Sequence, residues 1–232
     1  MHYCISDIHG DYSRYCGMLD WIGLSEADTL YVLGDVVDRG GQPVELLLDM
    51  MERPNVVPLL GNHEYMFACC LAFLMKEVTE QNLSALQAED LCSFLHWQSQ
   101  GGAPTLEGFR RLSPDQRQAV REYLGEFSLY EEVEAGGQSY LLTHAGPDHF
   151  SPRRPLGDYA LHELLWTRLD YSKVYYRDRF LVTGHTPTRN IPENPAPDRI
   201  YQANRHIAID CGCGHGGHLG CLCLDTLEEF YV

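Results

Sequence analysis

The chain has 232 residues, 44% hydrophobic and 22% charged, with 21 glycines and 12 prolines; this composition is globular and excludes disordered, collagenous and fibrous chains. Seventeen Lys and Arg against 33 Asp and Glu leave a formal charge of −16. Such a field repels phosphate backbones and anionic lipid, so neither nucleic acid nor a membrane is an expected partner.

From the amino terminus, Met1-His2-Tyr3-Cys4-Ile5-Ser6-Asp7 meets an acid before any apolar signal core develops, which predicts a cytoplasmic protein. Tyr3–Ser6 and Thr29–Leu33 are short, rich in β-formers, and end at Asp7 and at Gly34-Asp35, as buried strands running into loops do. Between them Tyr15, Met18, Leu19 and Ile22 share one helical face, giving a β-α-β unit. Pro43 suits the first turn of a second helix carrying Val44, Leu47, Leu48 and Met51, and Val56–Leu60 predicts a third strand. Residues 65–127 read as mainly helical within one domain spanning 1–232. The apolar run Tyr65–Met75 is too short to span a membrane and reads as a buried helix. Ser113-Pro114 with Gln116 predicts a capping box. Tyr130–Glu134 and Ser139–Thr143 predict a hairpin, Phe180–Thr183 and His206–Asp210 further strands, and Asp210–Cys213 with Leu219–Leu224 a last hairpin across Gly214–Gly217. Asn190–Asp198, rich in proline, reads as a surface loop.

Polar residues gather where the predicted strands end: Asp7 and His9, Asp35 with Asp38 and Arg39, Asn62 and His63, His144, and His185. Ligand sites of parallel sheets lie beyond the carboxyl ends of the strands, so these loops can converge. Oxygen donors mixed with imidazoles, without cysteine, suit divalent Mn, Fe or Zn in a catalytic site better than structural thiolate zinc.

The ordered set Asp7-Ile8-His9-Gly10, Gly34-Asp35-Val36-Val37-Asp38-Arg39-Gly40, Gly61-Asn62-His63-Glu64, His144-Ala145-Gly146 and Gly184-His185-Thr186-Pro187 resembles the calcineurin-like metallophosphoesterases, and within them the phosphoprotein phosphatases. Related diadenosine tetraphosphate hydrolases usually have Asp where Glu64 stands, so Glu64 tilts the resemblance toward protein phosphatases. Trp97-Gln98-Ser99-Gln100-Gly101-Gly102 with Thr105-Leu106, and Leu165-Trp166-Thr167-Arg168, look like that family's compact bacterial and phage branch. The resemblance implies an α/β fold of four layers, two mixed β-sheets flanked by helices. It implies two divalent metal ions, one on Asp7, His9 and Asp35 and the other on Asp35, Asn62, His144 and His185, with Asp35 bridging and a shared hydroxide as nucleophile. Manganese is the expected activator, with iron or zinc as alternatives. His63 is then the general acid, Asp38 its partner, and Arg39 and Arg168 the grips on phosphate. From the residues alone, Arg39 can equally form a salt bridge to Asp35 or Asp38, and Arg168 a solvated helix end.

The function so implied is hydrolysis of a phosphomonoester, first on phosphoserine or phosphothreonine of a protein or peptide, with small phosphoesters as side substrates. A dinucleoside polyphosphate hydrolase on the same metals is the alternative; a non-catalytic binding module would have lost ligands that this chain keeps. The nine cysteines do not form a secreted disulfide pattern. Cys211-x-Cys213 and Cys221-x-Cys223, with His215 and His218 between them, have residue types that suit zinc, but alternate strand positions share a face, which favours one buried side of a hairpin. His2, His96, His149, His162 and His206 lie outside any motif and carry no assigned role.

Overall fold

The computed structural model describes residues 1–77 and 79–232. Strand β1 (His2–Ile5) leads to helix α1 (Tyr12–Ile22), which starts where the Asp11 side chain accepts the Arg14 N–H at 3.1 Å. Then come β2 (Thr29–Val32), α2 (Pro43–Met51) with its proline in the first turn, and β3 (Val56–Pro58). The helical third comprises α3 (Asn62–Leu74), α4 (Glu80–Ser84), α5 (Ala88–Ser99), α6 (Ala103–Arg111) and α7 (Pro114–Leu124). Ser113 and Gln116 exchange the two hydrogen bonds of the expected capping box, at 3.2 and 3.0 Å. A hairpin follows, β4 (Tyr130–Ala135) and β5 (Gln138–Thr143), turning at Gly136-Gly137; after it come α8 (Leu161–Leu165), β6 (Phe180–Thr183), β7 (Tyr201–Ala203), β8 (His206–Ala208), β9 (Gly220–Cys223) and β10 (Glu229–Tyr231).

Two mixed five-stranded sheets result, in the orders β10-β9-β1-β2-β3 and β4-β5-β6-β8-β7. Strands β1, β2 and β3 run parallel, as do β5, β6 and β8. The period of two along each strand divides the core. On β1, Tyr3 and Ile5 pack with α1, α2 and α3, whereas Cys4 joins Leu33, Tyr140, Leu142, Val182 and Ile207 between the sheets. On β5, Leu141 turns outward to Leu169 and Leu181. Burial on both faces explains why these strands read as apolar runs without alternation, and each fully buried aliphatic side chain contributes about 1.5–3 kcal/mol. The four-layer calcineurin-like arrangement is therefore present. Run Tyr65–Met75 falls mostly on α3 and buries Met66, Phe67, Cys70 and Leu71.

The last hairpin is not formed as expected. Cys213–His215 is a 3₁₀ turn, and Gly212, at φ 76°, turns the chain out of the extended conformation just before it. Strand β9 pairs instead with β1 and β10, both antiparallel. The four cysteines consequently do not share one face: Cys213, Cys221 and Cys223 belong to the helix-side core and Cys211 to the core between the sheets.

Candidate metal centre

The site is built on the ends of parallel strands. Beyond β1 and β2 the two loops continue side by side, with Asp7 N–H donating to Gly34 O at 3.1 Å and His9 N–H to Asp35 O at 2.9 Å. Beyond β5 and β6, Gly184 N–H donates to His144 O at 2.8 Å. Six non-glycine residues here hold φ between 49° and 72°: Asp7, His9, Asp35, Asp38, Arg39 and His185. Left-handed backbone of this kind costs about 1–3 kcal/mol per residue and persists only where surroundings enforce it. Part of that enforcement comes from Gly61, at which a Cβ would lie 2.3 Å from the Asp35 nitrogen; only glycine lets α3 start this close to the loop.

Asp35 stands at the centre, 2% exposed. Its Oδ2 lies 3.6 Å from His9 Nε2 and 4.0 Å from His63 Nε2, while Oδ1 lies 3.5 Å from His144 Nε2 and accepts the His63 backbone N–H at 3.1 Å. The two oxygens thus face two different groups of imidazoles. Burial alone would raise its pKa, but the surrounding imidazoles, led by His144 and His63, hold it below the usual carboxylate range, helped by the N-terminal end of α3. His9 Nδ1 is 3.0 Å from Val37 O and His144 Nδ1 2.7 Å from Leu33 O. Those contacts assign the proton to Nδ1 and leave Nε2 as the lone pair aimed at the site. Burial pushes both His9 and His185 down to about 3, so both imidazoles are neutral at physiological pH.

Two groups of donor atoms, each within 4.8 Å of one another, follow: His9, Asp35 and His63, and Asp35, His144 and His185. Asn62 Oδ1 sits 3.0 Å from His144 Nε2, beside the second group. These donors suit a hard or borderline divalent cation on either side of Asp35. The first group differs from the sequence-based set in one respect. His63 is the third member, and the Asp7 carboxylate points at the other loop, accepting His185 N–H at 2.9 Å and the Ser6 hydroxyl. Asp7 still lines the same cleft. Burial, together with the charge of Asp35, pushes it up to about 6: a carboxylate in want of a cation.

His63 Nδ1 lies 2.7 Å from Asp38 Oδ2, both side chains being buried. Burial alone would lower the His63 pKa, yet Asp35 and Asp38 raise it, which favours the imidazolium form. Asp38 is itself anchored by Trp97 Nε1 at 3.0 Å and by the Thr105 hydroxyl at 2.6 Å. Trp97 and Thr105 carry the family resemblance in the sequence; their hydrogen-bonding role was not legible there. Arg39 makes no salt bridge to Asp35 or Asp38. Its guanidinium reaches His9 and His63 Nε2 at 2.9 and 3.0 Å and His215 Nε2 at 2.8 Å. Arg168 lies beyond α8 and lines the cleft, with Nη1 3.5 Å from Thr186 Oγ1.

The cleft has a volume of about 520 Å³ and is lined by Asp7, His9, Asp35, Arg39, Asn62, His63, Arg168 and His185, whereas His144 and Asp38 are buried behind them. It also contains residues for which sequence reasoning had no role: His96 from α5, Gln100 just beyond it, Asn190, His215 and Asp210. Asp210, 2% exposed, ends the β8 segment before Cys211-Gly212, the same pattern of strand, acid and glycine that marked Asp7 and Asp35, so a signal was there. Burial and the charge of Asp7 push its pKa far up.

A double-sheet sandwich with an aspartate held between two imidazole groups at the strand ends defines a metallophosphoesterase. The profile described as calcineurin-like phosphoesterase matches residues 3–216, and the chain belongs to that family. The bis(5′-nucleosyl)-tetraphosphatase PrpE [asymmetrical] of Geobacillus sp. (strain WCH70) is 26% identical over 259 residues, covering 98% of this chain and 92% of that protein. The symmetrical bis(5′-nucleosyl)-tetraphosphatase of Wigglesworthia glossinidia brevipalpis is 35% identical over 99 residues, 41% of this chain and 36% of that protein. That alignment spans little more than a third of the relative. Among solved structures, one assigned provisionally as a diadenosine tetraphosphatase superimposes with a TM-score of 0.66 at 18% identity, covering 100% of this chain and 92% of the other; this likeness concerns the fold alone.

Proposed function

We propose that this protein hydrolyses dinucleoside polyphosphates with a dinuclear divalent metal centre. The observation that carries the reading is the nearly end-to-end match to the Geobacillus enzyme. The expectation of a phosphoserine or phosphothreonine substrate rested on Glu64 and on the Trp97–Gly102 and Leu165–Arg168 motifs, and Glu64 has no contact with the cleft. Glu64 is fully buried, its carboxylate occupied by the backbone N–H groups of Asp35, Val36, Val37 and Gly61 at 2.8–3.0 Å. Its contacts are those of a residue that shapes the Asp35 loop rather than one that touches substrate. Relatives named as tetraphosphatases support the small-molecule reading over a protein one.

Asp7, His9 and Asp35 would hold one cation, and Asp35, Asn62, His144 and His185 the other. When bound, such a pair neutralises charge on phosphoryl oxygens and acidifies water; manganese is the expected metal, with iron or zinc as alternatives. Arg39 turns from the imidazoles to the phosphate chain, where its planar fork matches phosphate oxygens, and Arg168 grips the chain from the other wall. His63 and Arg39 cannot both be cationic donors across one contact, so the imidazolium form of His63 goes with an Arg39 engaged on substrate. Asp38 then holds the His63 ring so that Nε2–H faces the departing oxygen. A departing nucleoside phosphate needs less protonation than an alkoxide, so His63 matters more for alkyl esters.

A substrate panel decides the reading. In the presence of Mn, Fe, Zn or Mg in turn, diadenosine tetraphosphate is expected to exceed phosphoserine peptides in kcat/KM by about two orders of magnitude. A preference for the phosphopeptides refutes it.

A further inference from the structure

Arg168 borders more than the metal cleft. It also lines a second cavity of about 510 Å³ and, with Trp166, a recess of about 420 Å³. A phosphate held at Arg168 therefore adjoins both the reaction centre and this cavity. Resting on the dinucleotide reading, we infer that the cavity beyond Arg168 is a nucleoside subsite, which takes the base and ribose attached to the phosphate chain.

Three observations support this. First, within a mixed polar lining the cavity presents one aromatic and apolar patch: Phe150 and Tyr175 meet edge to face with ring centroids 5.4 Å apart, and Val174 beside them is 51% exposed. Bases stack on aromatic groups of this kind whatever their sequence identity, with contributions of about 1–3 kcal/mol per base. Second, the polar rim disfavours further phosphate. Asp170 and Lys173 neutralise one another at 2.9 Å, and Asp148 adds a half-exposed carboxylate. With Arg168 engaged on a phosphate and Lys173 paired with Asp170, the remaining rim carries the Asp148 carboxylate, which a neutral group rich in hydroxyl donors fits better than a second anion. Third, the volume lies within the range of small-molecule pockets, roughly 300–1,000 Å³, and suits a nucleoside.

Calorimetry on the Mn²⁺-loaded protein tests the subsite without relying on turnover. The probes are adenosine 5′-monophosphate and inorganic phosphate, and the variants are Val174→Glu, at an exposed position, and Phe150→Ala. The wild type is expected to bind the nucleotide at least tenfold more tightly than phosphate, and each variant to weaken the nucleotide about tenfold more than it weakens phosphate. Equal affinity for the two probes in the wild type, or an unchanged ratio in both variants, overturns the subsite. Diadenosine tetraphosphate cleavage by the wild type is measured alongside. Cleavage with an unchanged ratio sinks only the subsite; no cleavage with the expected ratio sinks only the substrate reading.

Discussion

Glu64 Oε2 accepts the backbone N–H of Asp35 at 2.8 Å, so the start of α3 fixes the loop that carries the central carboxylate. The other Glu64 oxygen takes Val36 and Val37 at 2.8 and 3.0 Å. Glu64→Asp shortens this reach by one methylene. Since hydrogen bonds to a charged group contribute about 1.5–3 kcal/mol each, the substitution is expected to lower stability by about that amount. It is not expected to change the ratio of kcat/KM for diadenosine tetraphosphate to that for a phosphoserine peptide. Chemical denaturation and the two-substrate ratio check this, and a ratio that moves tenfold shows that residue 64 does select substrate.

Trp97 and Thr105 act on His63 through Asp38. Without the donors at 3.0 and 2.6 Å, the Asp38 carboxylate is free to turn from the imidazole. Trp97→Phe and Thr105→Val should therefore slow hydrolysis of an alkyl phosphate about tenfold while affecting p-nitrophenyl phosphate, whose leaving group needs no proton, far less. His63→Asn should cost two to four orders of magnitude on the alkyl ester with metal content near normal. Equal losses on both esters for all three variants would assign these residues to folding or metal retention.

Legibility in the sequence followed physical range. Local signals sufficed for β1, β2, β6, α1 and α2, because an apolar run or a 3.6-residue stripe is visible within one element. The five strand-end loops were legible because parallel strands direct their carboxyl ends to one edge. Pairing of distant segments was not. β9 reads as half of a hairpin with its nearest neighbour, but its partner β1 lies more than 200 residues away, and nothing in Gly220–Cys223 names that partner. The three-residue edge strands β7 and β10 carry no periodicity. The same limit applied to the site: Asp7, His9 and Asp35 read as one ligand set, and only the folded loops reveal that His63 gathers with His9 and Asp35 while the Asp7 carboxylate bonds the His185 N–H.

If Asp35 serves both ions, its replacement must disturb both. Oδ2 faces His9 at 3.6 Å and Oδ1 faces His144 at 3.5 Å, and asparagine keeps one of these oxygens without the charge. Asp35→Asn is expected to lower total metal content well below that of the wild type, whereas His144→Asn, confined to one side, should leave about one ion per chain. Elemental analysis after gel filtration distinguishes them. Full occupancy in Asp35→Asn counts against the bridge.

Asp7 gives the site a pH signature. Burial and Asp35 push its pKa from 3.8 up to about 6, so between those values the folded chain keeps a proton that the unfolded chain has released. Its contribution to stability is therefore complete below about pH 4 and is lost as pH rises through 6. A cation reverses the balance, because it binds the ionised carboxylate and stabilises the fold more as the proton leaves. In chelator, the stability of the wild type relative to Asp7→Asn should fall from pH 4 to pH 7, while the stabilisation by Mn²⁺ grows over the same interval in the wild type and much less in the variant. Thermal melts at four pH values with and without manganese measure both. Because the Asp7 charge also acts on Asp210 and Asp35, the difference reads Asp7 together with the carboxylates it faces, and parallel curves across the interval would remove Asp7 from the metal centre.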